Sequence, residues 1–349
     1  MQLQTMLRFR TGWAEAEGPE HAVVLSTRVR LARNLHAPFP SHLGPAGLRR
    51  VLEQAFAAAR AAGLKDAAYF EFTDLDATDR TFLVERHLAS PALAARPSHR
   101  AVIVGERESL VAMINEEDHL RLAALLPGLR LREAHAAVDR LDDGLSASLD
   151  FAFRDDLGYL TACPTNLGTG LRASCLVHLP ALGMTGAIGR LIESLTRAGL
   201  IARGLHGEGT RVIGDFFQIS NATGFGRTEG EILAALEKSV AGIVAREKEA
   251  RAALCSGATK LRLEDAVHRS LAALNAARLL SFEEGQQHLS RLRLGLALGW
   301  KLPADLALVN ELTLTTQPAH LDLLAQKELS PTDRDAQRAA LVRRRLKAS

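Results

Sequence analysis

The chain has 349 residues, 47% hydrophobic and 24% charged, which is ordinary globular composition and excludes disorder, a collagen-like repeat or a coiled coil for most of its length. Lys and Arg number 43 against 40 Asp and Glu, and a surplus of +3 does not by itself signal a nucleic-acid partner. Three cysteines, Cys163, Cys175 and Cys255, form no Cys-x-x-Cys pair, so a disulfide framework or Cys-rich zinc site is poorly supported and a reducing cytoplasm fits best. Residues 1–10 lack the apolar core of a signal peptide, and the uncharged stretch 173–189 is broken by His178, Pro180 and three glycines.

Residues 22–31 alternate in the manner of a strand, and 45–62 read as an amphipathic helix closing at Gly63. Short apolar runs at 68–72, 101–104 and 110–114 predict further strands. Two more are expected at 159–163 and 171–179, joined by the turn-rich 164–170. The pattern over 185–198 predicts a helix ending at Gly199, and 212–219 another strand. Thr228 and Glu231 stand at capping-box spacing and open a long helix running to Leu254. Beyond Cys255 helical periodicity dominates, with Ser281/Glu284 as a further capping pair and Ser330-Pro331 as the start of a last helix. The expected organisation is a lead-in (1–21), a mixed sheet-and-helix body (22–255) and a helical C-terminal domain (256–349).

Gly168-Thr-Gly170-Leu-Arg-Ala173 fits a dinucleotide fingerprint in letters only: that motif must open a helix, whereas Leu171 onward alternates like a strand and stops at Pro180. No P-loop or protein-kinase signature is present. Arg28 and Arg30 are two apart and share a sheet face, as do Arg172 and Ser174. For one arginine alone, solvated surface charge is the ordinary reading. A cluster on sheet faces instead suits a polyphosphate cradle, because guanidinium forks match phosphate oxygens. Asn115-Glu-Glu-Asp-His-Leu-Arg121 ends an apolar strand with three acids; it reads either as a polar strand-to-helix turn or as a carboxylate site beside a cation. Glu208 lies in the glycine-rich Arg203-Gly-Leu-His-Gly-Glu208. Cys163 reads equally as a small buried hydrophobe and as a thiolate held near arginines.

Taken together, Ser26-Thr-Arg-Val-Arg30, Asn115–Arg121, Cys163-Pro-Thr-Asn-Leu-Gly-Thr-Gly-Leu-Arg-Ala-Ser174 and Arg203–Glu208 resemble the ATP:guanidino phosphotransferase (phosphagen kinase) family, in family order over about residues 22–255. Within it the chain is most similar to the bacterial branch that phosphorylates arginine in proteins. Only 25 residues precede Ser26, where small-guanidine kinases carry an extra helical domain. A helical C-terminal extension is present, and Arg334-Asp-Ala-Gln-Arg338-Ala339 resembles that branch's phosphoarginine-sensing motif. The segment Leu83–Pro91, with His87, also has a counterpart there.

The resemblance implies an α+β fold: an antiparallel-sheet catalytic domain flanked by helices, then a helical domain for dimerisation and phosphoarginine sensing. It implies ATP with Mg²⁺, the metal being held mainly by the nucleotide phosphates. Arg28, Arg30, Arg121, Arg172 and Arg203 would grip those phosphates, and His87 would contact the nucleotide. The backbone of Ser26, Thr27, Val29, Ala173, Ser174, Cys175, Leu176, Gly204, Leu205, His206, Gly207 and Glu208 would line the same site. Glu117 and Glu208 would orient the guanidinium and accept its proton, with Cys163 beside them. Arg334, Asp335, Ala336, Gln337, Arg338 and Ala339 would form an allosteric pocket. His206 stands where many relatives have tyrosine, and Cys175 replaces an aliphatic residue. The function implied is arginine phosphorylation that marks proteins for quality control and stress regulation in the cytoplasm. The implied partners are exposed arginines on protein substrates, a second copy of the chain, an activator protein, a heat-shock repressor and a Clp-type protease, with no membrane. Residues 331–349 hold six basic side chains and two acids, read as a solvated helix end rather than a nucleic-acid site. The alternatives are a small-guanidine kinase and a non-catalytic phosphoarginine-binding regulator.

Overall fold

The computed structural model describes residues 3–7, 11–62, 64, 66–205 and 212–347. Its centre is one antiparallel sheet of eight strands: β1 (Val24–Arg33), β2 (Ala68–Glu71), β3 (Ala101–Val104), β4 (Leu110–Ile114), β5 (Leu120–Pro127), β8 (Leu171–His178), β9 (Leu200–Gly204) and β10 (Phe216–Asn221), with β6 (Phe153–Arg154) and β7 (Gly158–Tyr159) forming a separate hairpin. The order is β2-β3-β4-β5-β1-β8-β10-β9, so β1 sits in the interior, paired on one side with β5 and on the other with β8.

Alternation along the strands sends two sets of side chains to opposite faces. Val29, Leu31, Leu122, Ala124, Ala173, Cys175 and Ile219 pack against helices Pro45–Ala61, Leu131–Ser146, Ile188–Arg197 and Glu229–Leu254. On the other face, Leu25, Val104, Met113, Ala123 and Leu176 meet Trp13, Phe82, Leu83 and Leu93, and the C-terminal residues Leu314 and Ala319 join the same cluster. The arginines lie on this second face, where the apolar cover gives way.

Several sequence expectations are corrected here. Residues 160–163 are loop, and only Gly158–Tyr159 of that run pairs, because the chain must turn toward the buried Asn34 and Asp118. The strand expected at 212–219 begins at Phe216; the helix expected at 185–198 runs over Ile188–Arg197, and a short helix not anticipated, Pro180–Met184, precedes it. Strand β5 and helix Leu131–Ser146 were not anticipated, although Leu131, Ala134, Val138, Leu141 and Leu145 keep helical spacing. The acids at 116–118 sit in a strand-to-strand turn between β4 and β5, not at a helix start. The capping box at Thr228/Glu231 is present, with both reciprocal bonds.

After Leu254 every regular element is helical: Gly257–Ala276, Phe282–Ala297, Leu306–Thr315, Pro318–Ala325 and Pro331–Lys347. Leu274, Leu289, Leu292, Val309, Leu312 and Val342 give these helices their own core. Arg293, fully buried, fastens them to the sheet body: its Nη1 donates to the Ala22 carbonyl (3.0 Å), Nη2 to that of His21 (2.8 Å) and Nε to Asn310 Oδ1 (2.9 Å). Nη1 also lies 3.0 Å from His178 Nδ1, and since a guanidinium only donates, that nitrogen accepts. Neutral His178 then donates from Nε2 to Ser290 Oγ (2.9 Å), which donates to Asp215 (2.6 Å). Burial, then the charges of Arg293 and Arg251, hold the His178 pKa well below its usual value, consistent with that neutral form. No helix among the described residues is long and apolar enough to cross a membrane.

Candidate active site: an arginine-lined cleft beside a carboxylate

Register brings the arginines together. Arg30 on β1 stands opposite Arg172 on β8, and Arg28 opposite Ser174. On the other side Ala32 faces Arg121 of β5. Gln218 on β10 is opposite Leu176 and, across the next ladder, Arg203 of β9. A cavity of ≈ 240 Å³ is lined by Arg30, Arg121, Arg172 and Arg203 together with Glu117, Cys163, Thr165, Asn166, Gln218 and Ser220. A narrower one continues from Gln218 and is lined by Ser26, Arg28, Ser174, Trp13, His87, Leu176 and Leu205.

Arg28 and Arg30 make no ion pair among the described residues, and the Nε of each is buried without a hydrogen-bond partner. Burial first, then the neighbouring charges of Arg121 and Arg172, lower the Arg28 pKa to about 10. The Arg30 pKa is likewise lowered, by burial first and then by Arg28, Arg121 and Arg172, with Glu116 in partial opposition. An arginine side chain stays protonated in proteins, so both carry charge. Two adjacent half-buried guanidiniums with no ion pair among the described residues suit an external anion, because partly desolvated, unpaired charges are costly.

The turn between β4 and β5 gives each of its acids a separate task. Glu116, nearly buried, forms an ion pair with Arg121 (Nη1 to Oε2 2.6 Å) and accepts from the Ser90 hydroxyl. Glu117, 44% exposed, receives Arg121 Nη2 at 2.9 Å and faces the cavity. Asp118 is buried and accepts from Asn34 Nδ2 (2.6 Å) and the Ala162 amide (2.7 Å). That last bond ties the carboxylate turn to the loop bearing Cys163. Asn115 takes a left-handed conformation at the start of the turn, and its Nδ2 donates to the carbonyls of Leu48 and His99.

Cys163 caps the short 3₁₀ turn Pro164–Asn166, with its Sγ 3.0 Å from Thr165 Oγ1. Buried Arg33 anchors the return of this loop: it pairs with Asp142 (2.7 Å), donates to the Thr169 carbonyl (2.9 Å) and lies 3.5 Å above the Tyr159 ring. Gly170 is required there, since its φ is +69° and a Cβ would come within 2.5 Å of the Ala32 carbonyl. His87, also left-handed, meets Trp13 edge to face at 5.0 Å and so forms the rim of the narrower cavity.

The cleft therefore brings together Arg28, Arg30, Arg121, Arg172, Arg203, Ser26, Ser174, Leu176, Leu205, His87, Glu117 and Cys163. The side chains of Thr27, Val29, Ala173 and Cys175 alternate onto the helix-covered face and are fully buried there, which leaves only their backbone for the cleft. Thr27 Oγ1, for example, donates to the Gly128 carbonyl at 2.7 Å. Gly204 ends β9, and His206, Gly207 and Glu208 lie outside the described residues. Sequence reasoning placed Glu116 and Asp118 in the carboxylate motif without separate roles, and missed Asn34, Gln218 and Ser220. The last two had a signal, being polar at alternate positions of an otherwise apolar strand.

The C-terminal motif is differently arranged. Arg334 is paired in bidentate fashion with Asp322 (2.9 and 2.6 Å). Arg338 is buried and donates to the carbonyls of Thr316 and Leu280 (both 2.8 Å) and to Asp335 (2.6 Å). Ala339 belongs to the helical core.

Comparison with known proteins supplies the family. The family model described as "ATP:guanido phosphotransferase, C-terminal catalytic domain" matches residues 49–250, and "Protein-arginine kinase McsB C-terminal domain" matches 260–349. The chain is 45% identical over 346 residues to the protein-arginine kinase of Symbiobacterium thermophilum, covering 98% of each sequence. It is 42% identical over 335 residues to that of Halothermothrix orenii, covering 96% of each. Among solved structures it resembles the duplicated taurocyamine kinase of Schistosoma mansoni with bound transition-state-analogue components (TM-score 0.59, 26% identity, 70% of this chain and 38% of that one). The fold is also that of lombricine kinase (TM-score 0.58, 24% identity, 72% of each chain).

The carboxylate turn carries a pH signature. His119 Nδ1 accepts from the Leu35 amide (3.1 Å), and burial, partly opposed by the Pro38 carbonyl, lowers its pKa from 6.5 to about 4. A depressed folded-state value contributes stability that is present above pH 6.5 and lost as pH falls toward 4. In His119→Asn the amide oxygen can replace Nδ1 and the titration is gone. Wild type should lose about 1.4 kcal/mol per pH unit relative to this variant across that window, read from urea midpoints. Parallel curves would contradict the assignment.

Proposed function

The chain belongs to the ATP:guanido phosphotransferase family, and from that membership we propose that its arginine-lined cleft carries the γ-phosphoryl group of ATP to arginine guanidinium groups in proteins. The observation that carries this reading is the half-buried pair Arg28/Arg30, each with its Nε buried and unbonded and neither in an ion pair among the described residues, adjoining a cavity that holds Glu117 and Cys163. An array of fixed cations suits a polyphosphate. A carboxylate beside a cysteine suits a guanidinium.

The triphosphate fits along Arg28, Arg30, Arg121, Arg172 and Arg203, with Ser174 and Gln218 as neutral donors. The base and ribose fit toward His87, Leu176 and Leu205, under Trp13. The cavity is dominated by cations, so Mg²⁺ fits as an ion carried by the phosphates, where it neutralises developing charge; no residue of the chain is assigned to it.

A guanidinium is protonated up to a pH of about 12 and is then a poor nucleophile. Glu117 would hold it in line with the γ-phosphorus and, with Glu208, receive the proton that leaves as the N–P bond forms and the bond to the β-phosphate oxygen breaks. Arg121, bracketed by Glu116 and Glu117, keeps Glu117 at a fixed height above the sheet. Cys163 adds a polar contact for the guanidinium edge. ADP and a phosphoarginine side chain are the products.

We assign residues 22–255 to catalysis and 256–349 to regulation and self-association, the latter in keeping with exposed Leu261 (71%) and Leu279 (57%). Residues 334–339 would sense phosphoarginine through Arg334, the phosphate taking the place of Asp322; Arg338 and Asp335 hold the helix in position. Asp322 lies on helix Pro318–Ala325, whose first amides, Ala319 and His320, donate to Glu85 at 2.9 and 3.1 Å. Glu85 is two residues from His87, so a shift of that helix has a short route to the nucleotide rim. A role in protein quality control, with an activator, a repressor and a protease as partners, follows from the same family reading.

The test is transfer from Mg-ATP to an unfolded arginine-containing protein, with free arginine in parallel, read by phosphosite mapping without acid. Phosphate should appear on protein arginines, and Glu117→Gln should reduce turnover by about 10²–10⁴-fold with nucleotide binding retained. Transfer to free arginine alone would favour a small-guanidine kinase instead. Near-normal turnover in Glu117→Gln would remove Glu117 from the chemistry. Arg334→Ala should abolish the response to added phosphoarginine; an unaltered response would exclude the regulatory pocket.

A further inference from the structure

A wider cavity of ≈ 640 Å³ opens beside the guanidinium cavity, and Glu117 lines both. Much of its wall is small: Ser41, Ala92, Ala95 and Ala162. Ala92 and Ala95 belong to the short helix Pro91–Ala95, and Ala162 immediately precedes Cys163. Small side chains leave room for main chain. Phosphoryl transfer to a single guanidinium does not require this volume, but a guanidinium attached to a polypeptide does.

Its charges are unequal. Four charged residues line it: Arg96, Arg100, Glu116 and Glu117. Both acids are engaged by Arg121, at 2.6 and 2.9 Å. Arg96 is exposed and Arg100 is 8% exposed, and neither forms an ion pair among the described residues. Arg100 is steadied by one bond, from Nη1 to the Ser98 carbonyl at 3.1 Å. Arg121 brings one charge against two acids, so the lining and Arg121 together sum to +1; Glu116 also offsets part of the Arg100 charge, and the surplus lies with exposed Arg96, which has no ion pair among the described residues.

Resting on the proposed transfer to protein arginines, we infer that this groove receives the polypeptide flanking the target arginine, and that Arg96 and Arg100 select substrates with a carboxylate side chain near that arginine. Extended chain advances about 3.3 Å per residue, so an acid within the first few positions on the groove side comes within reach. Arg100, partly buried and held by its carbonyl bond, is the stronger contact. Arg96, exposed at the helix end, adds field that salt screens.

The experiment compares two peptides with one central arginine in a neutral context, one carrying aspartates on both sides and the other lysines in the same places. Wild type should use the acidic peptide with kcat/KM roughly 3–10-fold higher, and the ratio should shrink in high salt. Arg96→Glu, an exposed substitution that leaves the core intact, should bring the ratio to unity or reverse it. Arg100→Gln should lower it chiefly through KM for the acidic peptide. Equal use of both peptides by wild type, or an unaltered ratio in Arg96→Glu, would overturn the inference while leaving arginine phosphorylation standing. Phosphorylation of free arginine with neither peptide modified would overturn the protein-directed reading and this inference with it.

Discussion

The structure depends on keeping several guanidiniums close together on one face of a sheet. Arg28 and Arg30 are forced into proximity with Arg172 and Arg121 by strand register, and among the described residues neither forms an ion pair with an acid. In isolation this is a destabilising choice, because desolvation and repulsion act in the same direction. It is sustained by the apolar face behind it, where alternate residues of the same strands are sealed under four helices. A rigid interior strand prevents the arginines from spreading into solvent, and an incoming polyphosphate then meets charges already oriented and partly dehydrated.

The surrounding elements refine that constraint. Arg121 is clamped by two glutamates, and the clamp fixes Glu117 as much as Arg121. Asp118 and Asn34 bind the carboxylate turn to the Cys163 loop through buried hydrogen bonds, so the two walls of the guanidinium cavity are set relative to each other. Arg33 performs a similar task at the far end of that loop, spending its charge on Asp142 and backbone carbonyls. Arginines two or three positions apart on one strand thus serve opposite ends: one is satisfied and structural, the others unsatisfied and available. Behind the sheet, Arg293 joins the C-terminal helices to the same body through carbonyls, Asn310 and a neutral His178.

Much of this was legible in the sequence because it is periodic. Alternation placed Arg28 with Arg30 and Arg172 with Ser174, and the capping pair at Thr228/Glu231 marked the long helix. The family was legible from four motifs, none of which is distinctive alone. What alternation could not supply was partnership across strands. Nothing local announces that Glu116 answers Arg121 from the buried side, or that Asp118 faces an amide 44 positions away. Strand β5 was missed because it is buried on both faces and loses alternation, and 159–163 was misread because its apolar letters serve a loop held by side chains. Thr27, Val29, Ala173 and Cys175 entered the expected site through the backbone of its motifs, and the pleat turns their side chains to the opposite face.

The claim beneath the account is that the arginine face is held at the fold's expense as a receptor for polyphosphate. Thermal unfolding of wild type and Arg30→Met, with and without Mg-ATP, addresses it directly. Removal of a half-buried charge with no ion pair among the described residues should leave the nucleotide-free melting temperature equal to or above that of wild type, and should erase the several-degree stabilisation that saturating Mg-ATP gives the wild type. A variant that melts well below wild type without nucleotide, yet keeps the full Mg-ATP shift, would contradict it: Arg30 would then be a support of the fold and not a contact for phosphate.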